Sequence, residues 1–379
     1  MSAKNSDSGI ASQTGRYPAL DAMRGVAVLM VVYDHLFAVG GERFAGNAFP
    51  PANTVRNWVS TPLGIIQDFG WFGVCLFFLI SGFVITHSAR RENIRTFFIR
   101  RIFRIGPPFA AAVLLVALLD FATGVQRPWL DYFYGLTLVG YFTVPQIIVL
   151  GVAWTLVIEV IFYALMAAIS PLLKGRRPLL GVALASTLPW LVIMWARDFG
   201  PSFFLFAASV AYLPVLLIGS TIYLRKATSA DMIPILLLAS ANAAVFMLGL
   251  RSIHTAFLPI SNSYPVTLVY ALAVFLMCVD LGAPNLLRRF GDISYSLYLL
   301  HGTLGFFVVQ HALSAGMANA SPWVASLVCI AASYVMYHTV ERPAINLGKR
   351  LSNGGPGSAG ADFGAQQSSS KAIPGEKPL

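Results

Sequence analysis

The stretch RGVAVLMVVYDH, residues 24–35, decides how this chain is read. Its middle is apolar enough for a membrane-spanning helix, yet it has an arginine at one end and an Asp-His pair at the other. Arg24 and His35 are eleven positions apart. At about 100° per residue that is three full turns plus about 20°, so both side chains leave one face, roughly 16 Å apart along the axis. Asp21 falls about 40° off that face and Asp34 about 100° away. Ionisable groups inside hydrocarbon are costly unless they face a polar interior. The stripe Asp21, Arg24 and His35 is therefore expected to turn toward a wet cavity. Snorkelling also accounts for Arg24, and a structural hydrogen bond for His35. A neutral imidazole at that depth would have the form a general base needs.

Working outward, the same logic covers the whole chain. Of its 379 residues 57% are hydrophobic and only 11% charged. Soluble domains carry nearer a quarter charged residues, so this composition suits lipid rather than a globular surface. Apolar runs predict spans at about 20–39, 69–88, 105–122, 152–173, 179–196, 203–224, 232–250, 264–281, 292–312 and 323–341. The expected fold is all-α: a polytopic membrane bundle of about ten transmembrane helices. The segment near 131–150, DYFYGLTLVGYFTVPQIIVL, is interrupted by Gly and Pro. A single crossing there would put KGRR at 174–177, RK at 225–226, RR at 288–289 and GKR at 348–350 on the outer side, against the positive-inside bias. It is therefore read as re-entrant or interfacial, with both termini cytoplasmic.

The net charge of +10 lies in short clusters between apolar runs, which sets orientation and attracts anionic membrane lipid rather than nucleic acid. Cys75, Cys278 and Cys329 stand alone in apolar stretches, so neither a disulfide framework nor a metal site is expected. The N-terminus lacks the basic-apolar-small order of a cleaved signal peptide, so the first apolar segment is expected to persist as a span. Residues 1–18 read as a cytoplasmic segment and 19–345 as the membrane domain. Residues 346–379, rich in Gly, Ser and Pro, read as a disordered cytoplasmic tail.

Three further clusters carry possible chemistry. In FFIRRIFRIGPP, a helix would align Arg101 with Arg104 and Arg100 with Arg104, just before an expected break at Pro107-Pro108. Arginines there suit bidentate capture of phosphate or carboxylate, or act as a topology signal. In WTLVIEVIFYAL, Glu159 sits in an apolar run and must pair with a base or line the cavity. In GDISYSLYLLH, Ser294, Tyr298 and His301 share one helix face. His87, His254, His311 and His338 fall near span ends, where water is expected to satisfy them.

Taken together these segments resemble the acyltransferase type 3 family of bacterial membrane proteins. LDAMRGVAVLMVVYDH is similar to its first-helix signature and FFLISGFVI, with Ser81-Gly82-Phe83, to its second-helix motif. RRIFRIGPP supplies R-x-x-R as Arg101 and Arg104, and WTLVIE supplies W-x-L-x-x-E as Trp154, Leu156 and Glu159. ISYSLYLLH and VERPAI, with Glu341 and Pro343, resemble the late motifs. The resemblance implies that 19–345 is an acyltransferase domain of the bacterial inner membrane. It implies transfer of an acyl group, usually acetyl, from cytoplasmic acyl-CoA to a hydroxyl of a cell-surface glycan or lipid-linked sugar. Some relatives carry a fused extracytoplasmic domain; here the outer face is expected to offer loops, chiefly 40–68. On this reading His35 is the base or a transient acyl carrier, and Glu159 and His301 orient base or acceptor. Arg24, Arg101 and Arg104 would hold the donor, acetyl-CoA in the usual case, without a metal. A transporter or flippase with a proton- or anion-coupled path is the rival reading.

Overall fold

A computed structural model of the chain describes residues 17–65, 67–253 and 263–353. Among these residues the structure is helical and contains no strand. The first helix, α1 (Pro18–Ala45), opens with a proline where the missing N–H costs nothing and widens into a π-helical turn over Asp34–Val39. It is followed by α2 (Gly70–Arg91), α3 (Ile94–Thr123), α4 (Gly151–Lys174) and α5 (Pro178–Met194). Then come α6 (Pro201–Ala227), α7 (Met232–Ile253), α8 (Ser263–Cys278), the short α9 (Asn285–Asp292), α10 (Ser294–Ser314) and α11 (Ser321–Asn353).

Every expected span becomes a helix, but not all in the same way. Seven are long and apolar enough to cross a membrane: α1, α2, α3, α4, α6, α7 and α11. Helices α5 and α8 are shorter, at 17 and 16 residues. Helix α10 is long but carries the polar stripe of Ser294, Tyr298 and His301. The segment near 131–150 contributes an eight-residue helix, Trp129–Leu136, and irregular chain, so it adds no spanning helix. The break expected at Pro107-Pro108 is absent. Helix α3 runs through both prolines from Ile94, where the Asn93 side chain accepts a hydrogen bond from Thr96 N at 2.8 Å. The arginine cluster is thus the first part of the spanning helix itself rather than of a helix that stops before the span.

Helix α2 is the axis of the bundle, buried along most of its length against α1, α4, α6 and α8. A Cβ on Gly82 would collide with the Leu216 carbonyl of α6, and one on Gly219 with the Leu79 carbonyl of α2. The two backbones therefore meet reciprocally, the contact that small residues allow between helices in lipid. Helices α3 and α7 turn Leu114, Leu118, Phe121, Ile233 and Leu237 outward, an apolar surface that hydrocarbon accommodates and water does not.

Two short amphipathic pieces brace the charged residues. Helix α9 packs across the start of α1, beside Arg24. The end of α11, Arg342–Asn353, lies along the start of α3, where Arg100 donates to Ser352 at 3.1 Å, Asn353 at 3.0 Å and Glu92 at 2.8 Å. Residues 346–353, read as the start of a disordered tail, are helical as the end of α11; residues 354–379, most of the N-terminal segment and His254 lie outside the described residues. All three cysteines are free thiols, with Cys75 and Cys329 buried.

Candidate active site

Five helices converge on one cavity. Arg24 enters from α1, Ser81 from α2, Arg101 and Arg104 from α3, Thr155 and Glu159 from α4, and Ser294, Tyr295 and Tyr298 from α10. The sequence placed these groups on separate spans; the fold brings them to one wall. Arg24 pairs with Asp21 at 3.4 Å. Arg101 donates to Ser88 Oγ and lies over the rings of Phe97 and Tyr163, at 5.3 and 5.7 Å. Its Nε–H is buried with no partner among the described residues. Arg104 makes no hydrogen bond or ion pair among the described residues. Glu159 forms no direct ion pair with these arginines; it accepts a 2.6 Å hydrogen bond from Tyr163 and faces the cavity. Three guanidiniums with unspent donors in one recess are suited to a multiply charged anion.

His35 and His301 stand beside the cavity rather than in its lining. Tyr298 joins the two regions: it lines the cavity, and its ring centroid is 5.5 Å from that of His301. Its hydroxyl donates to the Val152 carbonyl at 3.1 Å and accepts from Thr155 at 2.9 Å. The imidazoles of His35 and His301 stack at 4.8 Å, with His35 Nδ1 2.6 Å from His301 Nε2. Their partners fix the tautomers. His301 Nδ1 lies 2.7 Å from the Tyr298 carbonyl and 3.2 Å from that of Leu297; carbonyls only accept, so Nδ1 carries the proton. In neutral His301 the other nitrogen, Nε2, is then an acceptor and His35 Nδ1 donates to it. His35 Nε2 is left with a bare lone pair. That is the arrangement of an oriented base: one nitrogen held by a second group, the other available to a proton.

Two residues of this neighbourhood escaped the sequence reading. Tyr295 lines the cavity and donates to the Ile105 carbonyl at 3.1 Å. Asp34, which regular helical spacing turns away from His35, has its Oδ2 4.0 Å from His35 Nε2. The signal for Asp34 was its adjacency to His35; the π-helical turn that exploits it leaves no mark in hydropathy. His87, expected near water, is half-buried in an open polar recess between Tyr17 and Tyr223, and its Nδ1 has no partner among the described residues.

A family model described as an acyltransferase domain matches residues 17–338. The chain belongs to the acyltransferase type 3 family. It is a membrane acyltransferase, which sets aside the transporter reading. Over 322 residues it is 26% identical to Nodulation protein 10 of Rhizobium leguminosarum bv. viciae, across 73% of this chain and 82% of that protein. No solved structure matches it. The part matched by the acyltransferase type 3 family takes in Arg24, His35, Arg101, Arg104, Glu159 and His301, and ends just short of Glu341. Glu341 is buried and accepts a 2.6 Å hydrogen bond from Ser296, so it ties α11 to the helix that carries His301.

Proposed function

We propose that this acyltransferase moves an acyl group, acetyl in the usual case, from cytoplasmic acyl-CoA to a hydroxyl of an exported polysaccharide or other cell-surface glycan or glycolipid. It would do so in the bacterial inner membrane with both termini cytoplasmic, the orientation that the positive-inside bias supports. The observation that carries the reading is the recess of three arginines one residue, Tyr298, away from the paired imidazoles. Arg24, Arg101 and Arg104 would hold the phosphates of the donor. The axial rise from Arg24 to His35, about 16 Å, suits the donor's long flexible arm. His35 Nε2 takes the proton of the acceptor hydroxyl as its oxygen bonds to the thioester carbon. Collapse of the tetrahedral adduct breaks the carbon–sulfur bond, and the proton on His35 passes to the departing thiolate. His301 holds His35 in the tautomer this requires, and Glu159, held by Tyr163 and facing the cavity, orients the base or the acceptor.

Two experiments test the reading. Proton NMR of surface glycan from cells with His35→Ala in place of the wild type should show the acyl signals gone while folded protein stays in the membrane. Normal acylation would remove His35 from the mechanism. With purified protein, Arg101→Ala or Arg104→Ala should weaken acetyl-CoA binding about tenfold or more, the scale of a lost charge-assisted contact. Unchanged donor affinity in the double variant would reduce the cluster to a topology signal.

A further inference from the structure

One buried carboxylate has no part in the chemistry above. The Asp34 side chain is 6% exposed and makes no hydrogen bond among the described residues. His35 Nε2 lies 4.0 Å from its Oδ2. The other charged groups facing it are Asp68, Arg56 and Glu42, and Arg56 is already committed, bonding both Asp68 and Glu42. The protein builds a place for this group. Side chains at i and i+1 do not face one another on an α-helix, yet this pair approaches to 4.0 Å at the start of the π-helical turn. Phe69, at φ 80°, is strained just before α2, and the glycine that follows it leaves space that a Cβ on Gly70 would take from the Asp34 carboxylate. With no hydrogen bond among the described residues, this carboxylate is open to a donor from outside the protein, and a partner is expected when the enzyme works.

We propose that Asp34 receives the hydroxyl next to the one being acylated, so that the acceptor presents a vicinal diol. The inference rests on the reading of His35 as the base. His35 Nε2 and Asp34 Oδ2 are then two acceptors 4.0 Å apart, neither of them bonded to a protein donor among the described residues. Hydroxyls on neighbouring carbons of a sugar ring supply two donors at that spacing: one gives its proton to His35 and reacts, the other hydrogen-bonds Asp34 and fixes the ring. Asp34 is in this sense a specificity-determining residue of the acceptor site.

The probe is deacylated surface glycan from a strain lacking the gene, offered with acetyl-CoA to purified protein in nanodiscs, with thiol release giving the rate. Asp34→Ala should raise the acceptor KM about tenfold or more with the donor KM unchanged. Asp34→Asn, whose amide oxygen still accepts, should recover most of the loss. NMR of the product should place the acyl group beside a carbon bearing a free hydroxyl. An unchanged acceptor KM in Asp34→Ala, as a structural water in the gap would give, overturns the proposal. So does equal damage by Asn and Ala, or an acylated carbon with no neighbouring hydroxyl. If wild-type transfer disappears with His35→Ala, the role of His35 stands whichever way Asp34 falls. If His35→Ala transfers normally, or the wild type transfers nothing to this glycan, the parent reading fails and this one with it.

Discussion

At Gly70 a single hydrogen separates the start of α2 from the Asp34 carboxylate. Gly70→Ala is expected to push that carboxylate off His35, cutting glycan acylation about tenfold and costing about 1–3 kcal/mol of stability, the usual penalty for overpacking. Thermal unfolding in detergent alongside the NMR assay would separate the two effects. If, as proposed, His301 acts through His35, His301→Ala should slow thiol release yet leave donor affinity intact, where His35→Ala stops turnover. Equal and complete loss in both variants would mean that His301 touches substrate itself. Much of this site was legible in the sequence, because an ionisable group in an apolar run must find polar company and regular helical spacing says which groups share a face. That argument gave Arg24 on the cavity and Tyr298 with His301, whereas His35, expected on the same stripe as Arg24, stands beside the cavity. It missed Asp34 because the same spacing rotates it away, and the π-helical turn that brings it back depends on packing around α1.

Among the elements, α3 and α11 form the pair on which the arginine wall depends. Arg100 donates to Ser352 and Asn353, the last described residues of α11, and Gly348 sits close against Phe103. A chain ended after Asn353 keeps these contacts and is expected to retain most of its activity. One ended after Glu341 frees the start of α3 and should lose acetyl-CoA binding before it loses its place in the membrane. Comparing donor affinity of the two truncations in nanodiscs checks this. The apolar runs made the order of helices readable, since each must hide its backbone in lipid. The continuity of α3 was not readable, because two adjacent prolines argue for a stop and only the packed structure overrides it.

For the molecule as a whole, the outstanding quantity is its orientation. In a variant lacking the three native cysteines, Asn53→Cys should react with a membrane-impermeant maleimide on intact spheroplasts. Lys349→Cys should react only once the membrane is opened. Reversed labelling would put the arginine recess on the side where no coenzyme A is available. The reciprocal contact of Gly82 and Gly219 has a different consequence. Two main chains wedged together have no room to slide, so α2 and α6 form the stationary half of the machine. On the proposed reading, the breathing that admits a bulky donor and lets the spent thiol out is expected at α3, which carries two of the arginines that line the cavity. A covalent staple from α2 to α6 should leave turnover untouched, and one from α3 to α4 should throttle it.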